Sequence, residues 1–273
     1  MRMLIYPARS IRPRGFSRAC KRFRRLKPAL GSLIISVAIC GIAIATASAR
    51  DILGFRLLAL GGTPVHWSGE GTGPVGITYA FVEHAARLPG ARNCQGMVPL
   101  DALLARSKIS LAVFRTEVRA AFSMWEQAAN IRFRETNDML AAGILIGAQA
   151  LPDGWAFADV AQRPARSGKI ERSLICLNPD RLWKVGFDAN LDVFDIRYTL
   201  AHEIGHAIGL DHPEATDQLM SHHYREQFRA LQPGDIDGAV QLYGAKRSGQ
   251  PSLARLDTAR PEEPSQSRAP ALH

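Results

Sequence analysis

One segment constrains this chain more than any other feature of its sequence. Residues 202–212 read HEIGHAIGLDH, with histidines at positions His202, His206 and His212. On a helix, the first two histidines project from the same face because they are four residues apart, and both can bind one cation. Gly209 suits the left-handed conformation in which helices often end, so the chain can turn and bring His212 back to the same point. The segment therefore predicts a helix, a turn and a three-histidine metal site.

The number and type of ligands predict the chemistry of this site. Zinc binds imidazole nitrogen in tetrahedral geometry, and three protein ligands leave one position open, which is typical of a catalytic rather than a structural zinc. Glu203 follows the first ligand and can reach a zinc-bound water without being a ligand itself. We predict that Glu203 accepts the proton of that water and passes it to the leaving group. The spacing alone predicts metal-assisted hydrolysis, without specifying the bond.

The formal net charge of +9 does not indicate a nucleic-acid partner. Residues 1–49 contain ten of the 34 Lys and Arg residues and no acidic residue, so the rest of the chain has 24 basic against 25 acidic residues. The excess of positive charge thus belongs to one terminal segment and says nothing about a polyanionic partner. We therefore expect no nucleic acid among the partners of this protein.

Residues 1–49 have the three-part arrangement of an export signal. A basic stretch, Arg2–Lys27, precedes an uncharged apolar stretch, Pro28–Ala49, which ends in the small residues ASA at positions 47–49. Signal peptidases accept this ending, so we expect cleavage after Ala49 and release into the periplasm or outside the cell. The apolar stretch is also long enough to cross a bilayer, so the alternative is an uncleaved membrane anchor with an external catalytic domain.

The cysteines divide between the leader and the rest of the chain. Cys20 and Cys40 lie in the leader, whereas Cys94 and Cys176 lie beyond it. An even number of cysteines in an exported chain permits one disulfide, and we predict a bridge between Cys94 and Cys176. The alternative is a pair of buried free thiols.

Hydrophobic periodicity predicts strands and helices in alternation. Helical spacing of apolar residues predicts a helix over Leu111–Asn130, and Asp195 is a good N-cap for a helix from Ile196 to about Ile208. A last helix is predicted from Pro233 or Gly234 to about Leu242. Five strands are predicted, the fourth of them an edge strand: Gly76–Glu83, Ile131–Glu135, Ala142–Gly147, Trp155–Val160 and Ser173–Leu177. We expect residues 50–64 to be a short connector, and residues 245–273 to be a disordered tail because they have little to bury.

The histidine segment and its surroundings resemble the metzincins and, within them, the matrixins. Met220 lies eight residues after His212, as in the matrixin Met-turn, and Tyr224 matches a tyrosine in the wall of the family's specificity pocket. Residues 235–244, DIDGAVQLYG, are similar to the family's C-terminal helix signature. The resemblance extends over roughly residues 65–244, which we expect to form a matrixin-like zinc metallopeptidase domain.

The resemblance implies a fold and an activity. The expected α+β fold is a metzincin-type catalytic domain: a twisted, mostly parallel five-stranded sheet with two long helices, a zinc cleft, and a small C-terminal part with the Met-turn and the last helix. The implied activity is that of a secreted zinc-dependent endopeptidase, in which His202, His206 and His212 hold one catalytic Zn²⁺ and Glu203 is the general base. An extended peptide or protein substrate would pair with the edge strand of the sheet. We expect a monomer whose contact with a membrane is limited to an uncleaved leader.

Some features depart from the family pattern. The matrixin loop that holds a second, structural zinc has no match between Asp153 and Asn178, and the sequence does not support a calcium loop. His222 stands where the family usually has a proline in the pocket wall. Two other functions stay open, namely a catalytically silent metzincin-like binding domain and a zinc hydrolase that acts on a non-peptide bond.

Overall fold

The computed structural model of the protein describes residues 54–69, 73–163 and 167–246. The predicted leader, residues 1–49, lies outside the described residues, as do residues 247–273 of the predicted tail. Across the described ranges, every helix is too short or too polar to cross a membrane.

The described residues form four helices and a set of mostly short strands. The helices are α1 (Asp101–Ser107), α2 (Leu111–Ala128), α3 (Ile196–Ala207) and α4 (Pro233–Tyr243). The strands are β1 (Arg56–Leu57), β2 (Ala59–Leu60), β3 (Thr63–Pro64), β4 (Val75–Phe81), β5 (Ala86–Arg87), β6 (Gly96–Val98), β7 (Ile131–Glu135), β8 (Ile144–Gln149), β9 (Ala156–Gln162), β10 (Ile170–Leu177), β11 (Trp183–Lys184), β12 (Phe194–Asp195) and β13 (Leu210–Asp211).

Five of these strands form the central sheet, in the order β7-β4-β8-β10-β9. The strands β7, β4, β8 and β10 are parallel to one another, and β9 joins the edge antiparallel to β10. The hairpin β5-β6 is attached to the end of β8, where Val98 pairs with Ala148. The predicted α+β fold with a mostly parallel sheet is therefore confirmed, as is the prediction that β9 is an edge strand.

The two long helices pack on one face of the sheet. Tyr79 of β4 and Ser173 of β10 are in register through β8, so their side chains point to the same face. The ring of Tyr79 stacks on Phe122 of α2 at 4.3 Å between centroids, and the Ser173 hydroxyl donates to the carbonyl of Ala207 in α3 at 3.0 Å. The helices contact each other through Trp125, whose Nε1 donates to the carbonyl oxygen of Ala201 at 2.9 Å. The resulting core holds α3, which carries the HEIGH residues, in a fixed position.

Residues 54–64, which we expected to be a connector, are part of the domain. They contain β1 to β3, and β1 pairs with β13 through Leu57 and Leu210. The backbone N–H of Leu58 also donates to the carbonyl of Gly209 at 2.8 Å. The apolar residues of this segment are partly buried because the segment pairs with β13. The sequence pattern did not predict this pairing.

Candidate metal centre

Helix α3 positions the first two histidines and Glu203. The side chain of Asp195 caps the helix by accepting from the backbone N–H of Tyr198 at 2.8 Å, as the sequence predicts. The helix ends at Ala207, and Gly209 follows with a positive φ of 106°. A Cβ atom at Gly209 would lie 2.1 Å from the carbonyl oxygen of Val65, so the turn requires glycine for its conformation and for its close contact. Strand β13 then leads back to His212.

The three predicted histidine side chains converge on one point. The Nε2 atom of His212 lies 3.2 Å from Nε2 of His202 and 3.1 Å from Nε2 of His206. Tetrahedral zinc with bonds of 2.0–2.1 Å places its ligand atoms about 3.3–3.4 Å apart, which is close to these separations. Within the described ranges, these histidines are the one group of three or more His, Cys, Asp and Glu residues arranged to hold a metal ion.

Backbone carbonyls orient two of the imidazole rings. Nδ1 of His202 lies 2.7 Å from the carbonyl oxygen of Leu219, and Nδ1 of His206 lies 2.8 Å from that of Leu210. A carbonyl oxygen accepts hydrogen bonds only, so Nδ1 carries the proton on both rings and the lone pair of Nε2 faces the centre. Lone pairs that converge in this way repel one another unless a cation lies between them. The donor set therefore fits a zinc ion.

Burial keeps these imidazoles in the neutral form that binds metals. Removal from water lowers the pKa of His202 to about 3, and the neighbouring imidazole of His206 acts in the same direction. Burial also lowers the pKa values of His206 and His212. The three side chains are thus ready to donate lone pairs at neutral pH.

Glu203 is fully buried beside this group. Neither of its carboxylate oxygens has a hydrogen-bond partner among the described residues. Burial, followed by the charge of Asp159, raises the pKa of Glu203 to about 8. A buried carboxyl group without partners is costly to folding, so its presence here indicates a role that is completed by a group bound in the cleft.

Met220 packs against α3 between the two helical ligands. A Cβ atom at Gly205 would lie 2.2 Å from the Met220 sulfur and 2.9 Å from Cζ2 of Trp125, so only glycine allows this contact. Met220 itself is 1 % exposed. The structure thus brings the predicted Met-turn methionine directly against the helix turn that joins His202 to His206.

Asp235 fixes the turn that carries Met220, a role that the sequence analysis missed. Its carboxylate accepts from the backbone N–H groups of Leu219 and Met220, both at 2.9 Å, and from that of Gln232 at 2.7 Å. The Leu219 carbonyl in turn orients the ring of His202. The available signal was the acidic residue at the third position of a helix that starts with Pro233, because such a carboxylate commonly caps the helix and reaches back along the chain.

The segment after Met220 is anchored by its polar side chains. The Tyr224 hydroxyl accepts from the backbone N–H of Asp195 at 2.8 Å and donates to Glu226 at 2.9 Å, while its ring stacks on Phe194 with centroids 4.1 Å apart. His222 is exposed, and its ring centroid lies 6.0 Å from that of His212. The structure therefore places His222 next to the metal centre and buries Tyr224.

A group of two buried carboxylates and two partly buried arginines, which the sequence analysis also missed, joins this segment to α2 and α3. Arg229 donates to both carboxylate oxygens of Asp195, at 2.9 and 2.8 Å, and to Glu117 at 2.8 Å. Arg197 donates to both oxygens of Glu117, at 2.7 and 2.9 Å. Asp195 is 0 % and Glu117 5 % exposed, so each carboxylate depends on these arginines to balance its charge.

The structure also joins Cys94 to Cys176 in a disulfide, with a Cα–Cα distance of 5.8 Å. Both residues are fully buried. The bridge attaches the segment that precedes β6 to β10, the strand next to the edge strand of the central sheet.

Comparison with known proteins agrees with this geometry. Residues 103–244, about half of the chain, match the family model described as Matrixin. The chain therefore belongs to the matrixin family, and the predicted resemblance is confirmed.

Three relatives illustrate the extent of the similarity. The chain is 34% identical to matrix metalloproteinase-19 of Mus musculus over 146 residues, which are 52% of this chain and 27% of that protein. It is 30% identical to the hatching enzyme of Paracentrotus lividus over 156 residues, 53% of this chain and 25% of the relative. It is 29% identical to metalloendoproteinase 4-MMP of Arabidopsis thaliana over 168 residues, 57% of this chain and 49% of the relative. The matched region thus spans between a quarter and a half of the length of these relatives.

Proposed function

We propose that this protein is an exported zinc-dependent endopeptidase. The observation that carries the proposal is the convergence of three neutral imidazoles next to a buried carboxyl group whose oxygens have no hydrogen-bond partner among the described residues. In this proposal His202, His206 and His212 hold one zinc ion. A zinc ion supplies Lewis acidity, which polarises a carbonyl group and makes water a stronger acid near neutral pH.

Glu203 provides the proton transfers of the reaction. A cation held by the three histidines would favour the ionised form of this buried carboxyl group, which takes a proton from the attacking water and delivers it to the nitrogen of the leaving amine. Both carboxylate oxygens are free of hydrogen bonds to the described residues, so no competing contact has to break before the transfer. Glu203 lies outside the group of metal-binding side chains, which leaves it available as a base.

Strand β9 provides the binding edge for an extended peptide. It pairs with β10 on one side and ends the order of the sheet. Its residues Phe157 and Ala158 line a small cavity together with His206 and His212. A peptide that adds to this edge gains backbone hydrogen bonds whatever its side chains are, and it passes directly over the metal centre.

Met220 and Tyr224, which follow the metal ligands in the chain, support the metal centre and the cleft beside it. Met220 supports the helix turn between His202 and His206. Tyr224 belongs to the wall of the specificity pocket that the family resemblance implies. The hydroxyl of Tyr224 is engaged by Asp195 and Glu226 and its ring is buried against Phe194, so the residue supports this wall from within.

We expect export because residues 1–49 have the arrangement of an export signal. Their basic and apolar stretches and the ASA ending support cleavage after Ala49, so that the mature chain keeps the peptidase domain together with residues 54–64. N-terminal sequencing of soluble and membrane fractions tests this step. An intact leader found only in membranes would show that residues 28–49 are an anchor.

The activity is tested with the mature chain and a mixed peptide library. We expect internal cleavage of peptides, loss of cleavage after treatment with a zinc chelator, and recovery after zinc is added back. Cleavage that persists in a chain shown by elemental analysis to lack zinc would contradict the proposal. A zinc-loaded chain that leaves every peptide intact would favour the silent binding domain or a non-peptide hydrolase.

A further inference from the structure

The imidazole of His222 lies just outside the group of metal-binding histidines. Its ring centroid is 6.0 Å from that of His212, and the two ring planes are inclined at 72°. The three metal-binding rings have centroids 4.6–5.2 Å apart, and His222 is not a member of that group. His222 is therefore next to the metal centre without being one of its ligands.

The metal centre opens to solvent on the side of His222. His202 and His206 are buried, whereas His212 is only partly buried. His222 is exposed and lies beside His212, the most exposed of the three ligands. Three protein ligands leave one coordination position open for water or substrate. A substrate that reaches this position from solvent therefore comes next to the imidazole of His222.

The chain on both sides of His222 is anchored. Met220, two residues earlier, is buried, and its backbone N–H donates to Asp235 at 2.9 Å. Tyr224, two residues later, is also buried, and its hydroxyl accepts from the backbone N–H of Asp195 at 2.8 Å. The backbone that carries His222 is thus held in place from both sides, which is what a preorganised hydrogen-bond donor requires.

The imidazole gives this position a hydrogen-bond donor. A neutral imidazole has one N–H group and a protonated one has two, so His222 donates in either state. The matrixin family usually has a proline at this position, and a proline side chain has no donor. His222 therefore adds a polar group to this side of the cleft that the family resemblance does not imply.

We propose that His222 is a further catalytic residue, which donates an N–H hydrogen bond to the oxygen of the scissile carbonyl group. The inference rests on the proposed function and deepens it. When water adds to the carbonyl carbon, an electron pair of the C=O bond moves to the oxygen, which becomes negative. A donor beside that oxygen binds it more tightly in the transition state than in the substrate, so the donor raises kcat. His222 transfers no proton in this proposal, and both proton transfers stay with Glu203.

Two other roles for His222 predict different results. A side chain that only shapes the cleft contributes equally to the binding of substrate and transition state, so its removal raises KM and leaves kcat unchanged. A fourth metal ligand would contribute to zinc affinity, so its removal would weaken zinc binding. The three roles are therefore separated by kcat, KM and zinc affinity measured on the same variant.

The first measurement compares His222→Phe with the wild-type mature chain on one peptide. Phenylalanine keeps an aromatic ring at this exposed position and removes the N–H group. We expect kcat to fall by about 10²–10³-fold, with KM unchanged. Zinc affinity, measured by competition with a chelator, should equal that of the wild type.

The variant His84→Phe is the matched control. His84 is also an exposed histidine, but it lies in the loop between β4 and β5 and outside the group of metal-binding side chains. This variant should keep the kcat, KM and zinc affinity of the wild type. A loss of kcat in His84→Phe as large as that in His222→Phe would overturn the proposal, because the effect would not depend on the place of the imidazole.

A second measurement does not depend on turnover. In a phosphinic peptide, a tetrahedral phosphinate and a methylene group replace the scissile amide and present a charged oxygen like that of the transition state. We expect His222→Phe to bind this peptide about 10²-fold more weakly than the wild type does, as measured by calorimetry. The uncleaved substrate, measured on Glu203→Ala with and without His222→Phe, should bind equally well to both chains.

The outcomes also separate this inference from the proposed function. An unchanged kcat in His222→Phe, a loss of zinc affinity, or an equal loss of affinity for the phosphinic peptide and the substrate would each overturn the role of His222 while leaving the peptidase in place. A zinc-loaded wild-type chain that cleaves none of the peptides would overturn the proposed function itself.

Discussion

The two walls of the cleft are held by different kinds of interaction. The wall formed by residues 219–232 is held by buried carboxylates, namely Asp235, which accepts from the Met220 turn, and Asp195 and Glu117, which bind Arg229. The wall formed by residues 87–94 is held by Asp159 and by the disulfide between Cys94 and Cys176. Both walls use a carboxylate that accepts from backbone N–H groups, but one depends in addition on a disulfide and so on an oxidising environment, whereas the other depends in addition on charge pairs.

This difference separates the metal centre from the wall that contains the disulfide. The histidines are oriented by the carbonyls of Leu219 and Leu210, which belong to the charge-held wall and to β13. The disulfide contacts neither of these groups. Breaking the disulfide should thus lower the stability of the fold without changing metal binding. Breaking the charge pairs should instead loosen the wall formed by residues 219–232.

The largest expected effect comes from removal of the disulfide. Cys94 and Cys176 are separated by 82 positions, and a closed loop of that size is worth roughly 4.5 kcal/mol in the chain-entropy model. We expect Cys94→Ser with Cys176→Ser to lower the free energy of unfolding by up to about this amount, as measured by urea denaturation. Zinc content should stay near that of the wild type, and a loss of zinc from a folded variant would contradict the separation of the two walls.

Peptide mapping tests whether the disulfide between Cys94 and Cys176 forms in the exported protein. Under non-reducing conditions we expect a peptide pair joined through Cys94 and Cys176 in exported material. Two thiols that are freely alkylated there would overturn it.

A smaller loss is expected when Arg229 is replaced. Arg229→Met leaves the buried carboxylate of Asp195 without its partner, so we expect the free energy of unfolding to fall by about 3 kcal/mol. The control is Arg163→Met, because Arg163 pairs with Glu171 on the surface and such pairs are worth about 0–1 kcal/mol. Equal effects of the two substitutions in urea denaturation would show that the buried pair does not hold this wall.

The smallest of the three effects is expected at Gly205. In Gly205→Ala the new methyl group meets the Met220 sulfur, which must shift, and we expect a loss of about 1–3 kcal/mol with weaker zinc binding. Gly76 in β4 has open space where a Cβ would lie, so Gly76→Ala is the control and should leave zinc affinity unchanged. If both variants bound zinc like the wild type, the contact between Met220 and α3 would have no bearing on the metal centre.

The sequence predicted best where the interacting residues are close along the chain. Helix α3, its N-cap Asp195 and the return of His212 through Gly209 all belong to one continuous segment, and all were predicted. Strand β7 has the predicted bounds Ile131–Glu135, because its alternation of apolar and charged residues is clear.

The elements that the sequence did not predict depend on contacts between distant residues. Strand β1 exists because Leu57 pairs with Leu210, more than 150 positions away in the chain, and residues 54–64 carry no strong local signal. The sequence gives no sign that Arg229 differs from the other arginines, because its partners Asp195 and Glu117 are distant along the chain. Helix α1 was missed for a similar reason, since it is a single short element whose burial rests on Leu103 and Leu104.

Zinc content measured beside peptidase activity in two variants tests the central claim most directly. Glu203 is proposed as the base and not as a ligand, so Glu203→Ala should reduce turnover by about 10²–10⁴-fold while zinc stays near one ion per chain. His206→Ala removes a ligand and should lose both zinc and activity. Near-normal turnover in Glu203→Ala would contradict the proposed mechanism, and loss of zinc from that variant while it remains folded would show that Glu203 binds the metal.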